Sequence, residues 1–229
     1  MSRPPLFICI IMILVLTGCQ NYQPIAEATT TEQEPSTEPI QEKEKQKESD
    51  TIPELNLHIN EKTYTITQKS YPILYRYVSG FENPEKQLNA LNYSPLLEDQ
   101  YLIEFACQNN TCSHIVLDFH LETSFLLNDL SVLKSFDWST DKRFISFLFE
   151  RSNNDGVKKH HLAIMDLYTL EPASLELVED EPLIPLPNQY QYEIKSVKFI
   201  DGNQIQIETE DIIKKSSRNV TTTWQYDAP

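Results

Sequence analysis

From Pro53 onward the chain alternates apolar and polar residues, the pattern a half-buried strand requires. Leu55, Leu57 and Ile59 fall on one face of such a strand, and Asn56 and His58 on the other. Asn60-Glu61-Lys62 can turn the chain, and Tyr64 and Ile66 then share a face of a second strand, so a hairpin is predicted here. Further strands are expected at Phe136 to Trp138, Phe144 to Glu150, His161 to Leu167, Val197 to Ile200, Ile205 to Thr209 and Val220 to Tyr226. Ser139-Thr140-Asp141-Lys142, Asn153-Asn154-Asp155-Gly156 and Asp201-Gly202-Asn203 supply turns, and Lys214-Lys215-Ser216-Ser217-Arg218 fills the last loop. One short helix is predicted, over Pro84 to Leu91, with Asn83 as its N-cap and Pro84 at its first position.

Tyr101 to Cys107 and Cys112 to Phe119 read as another hairpin. Setting Cys107 opposite Cys112 pairs Phe105 with His114, Ile103 with Val116, Leu102 with Leu117 and Glu104 with Ile115. Both faces are then largely apolar, so this ribbon is expected to be covered on both sides.

Composition excludes several classes. Lys and Arg number 19 against 34 Asp and Glu, for a formal charge of −15 and a pI near 4.7. A broad electrostatic footprint for nucleic acid does not fit that balance. The same charge repels an anionic lipid surface, so membrane contact requires a specific anchor. Of the 4 glycines, only Gly80, Gly156 and Gly202 fall after residue 18. That is too few for loops that cradle phosphates with close backbone approach.

The N-terminus offers such an anchor. Arg3 precedes an apolar run from Leu6 to Leu16, shorter than the ~20 residues a membrane-spanning helix needs and matching the core of a secretory signal. Leu16-Thr17-Gly18-Cys19 closes the run. This resembles the bacterial lipobox: an apolar residue, two small residues and a cysteine. The resemblance implies that residues 1–18 are a signal cut before Cys19. It further implies that Cys19 carries a diacylglycerol thioether, and that the protein is held on the outer face of a membrane. The plain alternative is an ordinary signal or an uncleaved anchor with a chance cysteine, and Cys9 reads as a small apolar residue of the discarded peptide. Residues 19–52 then form a tether. Thr29 to Pro39 and the Gln41-Glu42-Lys43-Glu44-Lys45-Gln46-Lys47-Glu48 run carry no periodic apolar face, so disorder is expected. As a coil, roughly 30 residues span ~30 Å on average, a reach suited to working within or beneath a cell wall. Residues 53–229 form the extracytoplasmic β domain.

Phe136-Asp137-Trp138-Ser139-Thr140-Asp141-Lys142-Arg143-Phe144-Ile145-Ser146-Phe147, continued by Leu162-Ala163-Ile164-Met165-Asp166-Leu167-Tyr168-Thr169, resembles one blade of the TolB-like β-propellers. Val197 to Ile207 resembles the start of a second. Thr140 stands where that family has proline, and Lys142 and Leu170 stand where it has glycine. A blade takes ~40–50 residues and a ring needs four or more. The expectation is therefore a mainly β domain of antiparallel, propeller-like meanders, an incomplete or fused sheet rather than a full ring. In that family such blades are binding scaffolds, and the fold alone does not give the function.

Candidate chemistry is sparse. For Cys107 and Cys112, outside the cytoplasm, a disulfide across the hairpin mouth is the first reading. A zinc site recruiting His114 and His120 and a redox dithiol are the rivals. His160 and His161 follow Lys158-Lys159 and read as a solvated strand start whose neighbours face opposite ways. Glu176, Glu179, Asp180 and Glu181 form an acidic run before Pro182, read as a charged loop in preference to a calcium site. Asn109 and Asn219 sit in glycosylation-type sequons that mean little in a bacterium. No Gly-x-Ser-x-Gly or His-Glu-x-x-His pattern occurs, no cofactor motif is present, and no spacing ties Ser, His and Asp into a triad. The expected function is that of a membrane-anchored, non-catalytic binding or assembly module with a protein, peptide or wall-polymer partner. An extracytoplasmic hydrolase or its accessory subunit is the alternative. A transporter's solute-capturing lipoprotein is disfavoured, because those need two α/β lobes.

Overall fold

The computed structural model describes residues 53–153, 155–178, 184–200, 203–214 and 216–227. The signal, Cys19 and the tether lie outside the described residues. So do Asn154, Glu179, Asp180, Glu181, Pro182, Asp201, Gly202 and Lys215 of the expected loops.

The described residues are mainly β, in antiparallel sheets. β1 (Leu55–Ile59) and β2 (Lys62–Ile66) form the expected hairpin, with Leu57 opposite Tyr64 and Ile59 opposite Lys62. Two helices follow, α1 (Pro72–Val78) and α2 (Pro84–Asn89). α2 is the helix the sequence predicts: Pro84 opens it, and the Asn83 side chain accepts from the Lys86 amide at 3.0 Å. Its outward residues satisfy the open edge of β1. Glu85 Oε1 accepts from the Asn56 amide at 3.0 Å, and Asn89 Oδ1 from the His58 amide at 2.7 Å.

α1 corrects the expectation of a single helix. Its tyrosines and valine are residues that favour strands, so propensity points the wrong way. Pro72 at its start and the burial of Leu74, Tyr75 and Val78 against the core decide the matter.

β3 (Asn92–Leu97), β4 (Gln100–Gln108), β5 (Thr111–Asp118), β6 (Thr123–Trp138), β7 (Phe144–Ser152), β8 (Lys158–Asp166) and β9 (Glu171–Pro172) form one seven-stranded meander, each strand beside the next. β6 serves both halves: Thr123 to Ser131 pair with β5, and Val132 to Trp138 with β7. The sheet is thus a fused one, as the sequence suggested. A second sheet of four strands runs in the order β10 (Ser174–Leu177), β13 (Ser216–Asp227), β12 (Gln204–Asp211) and β11 (Ile194–Ile200).

The β4–β5 hairpin carries a correction in register. Phe105 pairs with Ser113, Glu104 with His114 and Ile103 with Ile115, one place away from the pairing counted back from the cysteines. The cause is a bulge between Phe105 and Gln108, where Ala106 takes φ 51°. One extra residue on one strand moves every later partner by one.

The turn at Ser139 to Lys142 is built from its own side chains. Ser139 Oγ donates to Asp141 Oδ1 at 2.6 Å and accepts from the Phe144 amide at 2.9 Å. Lys142 and Leu170, where the blade pattern carries glycine, take φ 58° and 57°. That left-handed conformation costs a residue bearing a Cβ roughly 1 kcal/mol or more, so the surrounding turn must impose it.

Alternation explains how the sheets stack. On β4 and β5, Tyr101, Ile103, Phe105, Ile115 and Leu117 pack beneath the β1–β2 hairpin and the helices. Leu102 and Val116, on the opposite face, pack against Ile145, Phe147 and Phe149 of β7 and Met165 of β8. Phe144, Leu148, Leu162 and Ile164 face the other way again, against Ile194, Ile205, Ile207, Trp224 and Tyr226 of the four-stranded sheet. β4, β5, β7 and β8 are therefore covered on both faces, which is why they read as nearly continuous apolar runs.

Candidate functional site

Cys107 and Cys112 form a disulfide, with sulfurs 2.12 Å and Cα atoms 4.0 Å apart. The Cα separation is shorter than the usual 4.4–6.8 Å. Both sulfurs are thereby committed. His114 is buried on β5 with Nε2 3.5 Å from Glu104 Oε1, and its ring packs on Phe149 at 5.0 Å. His120 stands six positions further along, roughly 20 Å of strand, in the turn after β5. Among the described residues no cluster of three or more His, Cys, Asp and Glu has the arrangement to hold a metal ion. Replacing both cysteines with serine is expected to leave the fold intact and less stable by ~2 kcal/mol, the value for so short a loop. Urea denaturation measures this, and thiol titration of the denatured, unreduced protein should find no free cysteine.

The histidine pair on β8 is a second correction. His160 is buried and not a solvated strand start. Its Nδ1 accepts from the Ile194 amide at 2.8 Å, which leaves the ring proton on Nε2, 3.3 Å from Glu150 Oε2. His161 points the opposite way, as adjacent strand residues must, and packs on Tyr190 at 5.2 Å. Lys134 and Lys158 stand 3.5 and 3.6 Å from Glu150 Oε2. Burial alone would raise the Glu150 carboxyl, but these cations and His160 hold it below the usual range.

Burial pushes His114, His160 and His161 below 6.5, against the opposing pull of Glu104 on the first, Glu150 on the second and the Asn188 backbone on the third. A neutral folded histidine with a depressed pKa binds fewer protons than the unfolded chain just below pH 6.5. Stability therefore rises with pH in that window and is lost as pH falls from 6.5 towards each folded value. Each histidine contributes at most about 1.4 kcal/mol per pH unit. Denaturation followed between pH 7.5 and 5 should show the loss, and H160Q should flatten it. An H160Q slope equal to the parent's would remove His160 from the explanation.

A buried polar network lies at one end of the sheet stack, where the β3–β4 turn, the β5–β6 turn and the residues after β8 meet. Asp118, at the end of β5, is 2 % exposed. Its Oδ1 accepts from the His120 and Leu121 amides at 2.8 and 2.7 Å, shaping the β5–β6 turn. Its Oδ2 accepts from Gln100 Nε2 at 2.6 Å, and the same nitrogen donates to the Leu167 carbonyl at 2.6 Å. One amide thus ties β4, β5 and the end of β8 together. Asp166, fully buried, accepts from Arg143 Nε and Nη2 at 2.9 and 2.6 Å and from the Tyr168 amide at 2.9 Å.

On the hairpin side, Asp99 Oδ1 accepts from Lys62 Nζ and from the Tyr64 hydroxyl, both at 2.6 Å. The Lys62 hydrogen bond, then that of Tyr64, lowers the Asp99 carboxyl. Burial, then the bonds to Asp99 and Tyr101, raises the Tyr64 hydroxyl. Tyr64 stacks on Phe119 at 3.9 Å.

Two clefts flank the β5–β6 turn. The larger, about 730 Å³, is bounded by Glu98, Asp99, Gln100, His120, Leu121 and Tyr168. The other, about 390 Å³, runs beside β2 and includes Thr63, Thr65, Ser70, Glu54 and Glu122. A third hollow of about 360 Å³ lies elsewhere, on α1, lined by Pro72, Ile73, Arg76, Tyr77 and Phe105. Among the described residues, no histidine ring links a carboxylate on one nitrogen to a Ser or Thr hydroxyl on the other.

Sequence reasoning found the disulfide and missed the network. Asp118, Gln100 and Asp166 sit among apolar strand residues, and only their burial marks them as structural polar groups.

A scan against protein-family models and a search of curated proteins each return no match to this chain.

Proposed function

We propose that the protein is a lipoprotein anchored through Cys19 to the outer face of a membrane, where its β domain acts as a non-catalytic binding or assembly module. The observation that carries the anchor is Leu16-Thr17-Gly18-Cys19 at the close of an apolar run too short to span a bilayer. Support for binding comes from the end of the stack. Polar side chains there are fixed by buried hydrogen bonds around an open cleft, the arrangement of a recognition surface on a rigid scaffold. The partner is a protein, a peptide or a wall polymer. Cross-linking the native membrane-bound protein in cells and recovering it tests the reading. A defined partner, joined through residues of 53–229, supports it. Turnover of a substrate class by the purified domain would replace it with the hydrolase alternative.

A further inference from the structure

We propose that the free edge of β2 takes up an extended, basic peptide as a third strand of the β1–β2 sheet. The proposal rests on the binding-module reading and names the partner's chemistry and its mode of attachment.

β1 and β2 pair only with each other, in a two-stranded sheet. Opposite residues of an antiparallel pair alternate between exchanging both backbone bonds and pointing those groups outward. The Asn56 and His58 amides point outward, to Glu85 Oε1 at 3.0 Å and Asn89 Oδ1 at 2.7 Å. Thr65 stands opposite Asn56, and Thr63 opposite His58. The N–H and C=O of both threonines therefore point outward on the other side of the hairpin. The two edges differ in what covers them. On β1 the α2 side chains do so, and Asn89 Nδ2 also donates to the Asn56 carbonyl at 2.8 Å. Among the described residues nothing pairs with the backbone of Thr63 or Thr65, and both are exposed. The features that commonly guard an edge are charges, prolines and bulges. β2 has no proline and keeps an unbroken register, and its one charge, Lys62, is turned to Asp99 at 2.6 Å.

This edge opens into the cleft of about 390 Å³ that also holds Tyr71, Phe119, Glu54 and Glu122. An antiparallel segment laid there exchanges both backbone bonds with Thr63 and with Thr65, the addition of a strand to a sheet edge. Its middle residue then stands opposite Tyr64, and opposite residues share a face. On that face Tyr64 stacks on Phe119 at 3.9 Å, and Tyr71 lies 5.5 Å from Phe119. Glu54 and Glu122 are the only charges among the cleft's lining residues. A lysine or arginine suits this wall, with its methylene stem on the rings and its charge towards the carboxylates. The same carboxylates, on a chain of net charge −15, oppose an acidic peptide and a second copy of this chain.

Fluorescence anisotropy of the full chain in detergent micelles, with labelled acetyl-Lys-Thr-Val-Lys-Val-Thr-Lys amide, tests the proposal. Two further probes are its counterpart with Glu for Lys and a version N-methylated at its three central residues, which cannot pair with both threonines in any register. The basic peptide should bind, added salt should weaken it, and both counterparts should bind about tenfold more weakly or worse, the size of a lost hydrogen bond or two. T65P removes an N–H that β1 does not use, at an edge position where proline is tolerated. It should keep the fold and weaken the basic peptide about tenfold, again one or two hydrogen bonds. E122Q, at an exposed position, should weaken it about threefold, a size fitting exposed charge pairs. Should T65P fail to fold, the N-methylated peptide still decides. Equal binding of the N-methylated or the acidic peptide overturns the proposal, as does no binding of the basic peptide at millimolar concentration. Hydrogen exchange at the Thr63 and Thr65 amides without peptide addresses other occupants, and fast exchange is expected. Protection lost on dilution assigns the edge to a second copy, and protection that persists assigns it to a segment of this chain; either overturns the proposal. If cross-linking in cells captures a partner on another face, the edge assignment fails while the binding-module reading stands.

Discussion

Changing Cys19 to Ala is expected to release the protein from the membrane fraction, or to leave it as an unprocessed precursor of greater mass. Acyl chains contribute about 0.8 kcal/mol per buried CH₂, and stable anchoring takes two chains or one chain with a basic patch. A diacylated cysteine supplies two chains. The rest of the chain supplies no compensating attraction, because 34 acidic against 19 basic residues disfavour an anionic surface. No helix of the described residues is long and apolar enough to cross a membrane. Loss of the one thioether should thus be close to all-or-none in fractionation. A C19A protein that is processed, membrane-bound and unchanged in mobility would refute the lipid anchor. It would leave the β domain's architecture untouched.

How much of the fold the sequence exposes depends on the distance over which each signal acts. Local signals carry well. Alternation at Leu55 to Ile66 marks a hairpin, and Asn83-Pro84 marks the start of α2. Ser139 to Lys142 marks a turn, and the two cysteines mark a closed hairpin mouth. The two-sided apolar run at Leu102 to Phe105 correctly implies strands covered on both faces, and the structure covers Phe144 to Phe149 on both faces as well. Register does not carry, because it depends on a backbone event with no residue signature: Ala106 takes a left-handed conformation that alanine rarely adopts. β3, the first half of β6 and α1 escape for a related reason. Asn92–Leu97 contains a proline, Thr123 to Ser131 mixes polar and apolar residues on one face, and α1 is a short segment of strand formers held helical by its contacts. His160 misleads because its lysine neighbours suggest solvent, whereas its acceptor nitrogen is aimed at Ile194, 34 residues away. The end-of-stack network is hidden most completely, since Gln100 and Leu167 meet across 67 residues.

That network makes Asp118 the residue whose loss should most disturb the domain. Asp118→Ala is expected to destabilise it by about 3 kcal/mol, since each buried donor left unpaired costs about 1–3 kcal/mol. Three donors lose their acceptor: the His120 and Leu121 amides at Oδ1, and Gln100 Nε2 at Oδ2. The turn amides can recover water as the turn loosens, which holds the total below the sum. Gln100 is 6 % exposed and keeps the Leu167 carbonyl alone. Asp118→Asn separates the two contributions. Its oxygen can still accept from the turn, but its NH₂ then faces the NH₂ of Gln100, donor against donor, so a smaller loss of about 1–2 kcal/mol is expected. Urea denaturation of both variants gives the comparison, and a D118A protein within about 0.5 kcal/mol of the parent, the range of an ordinary surface change, would show that the network does not hold the end of the stack.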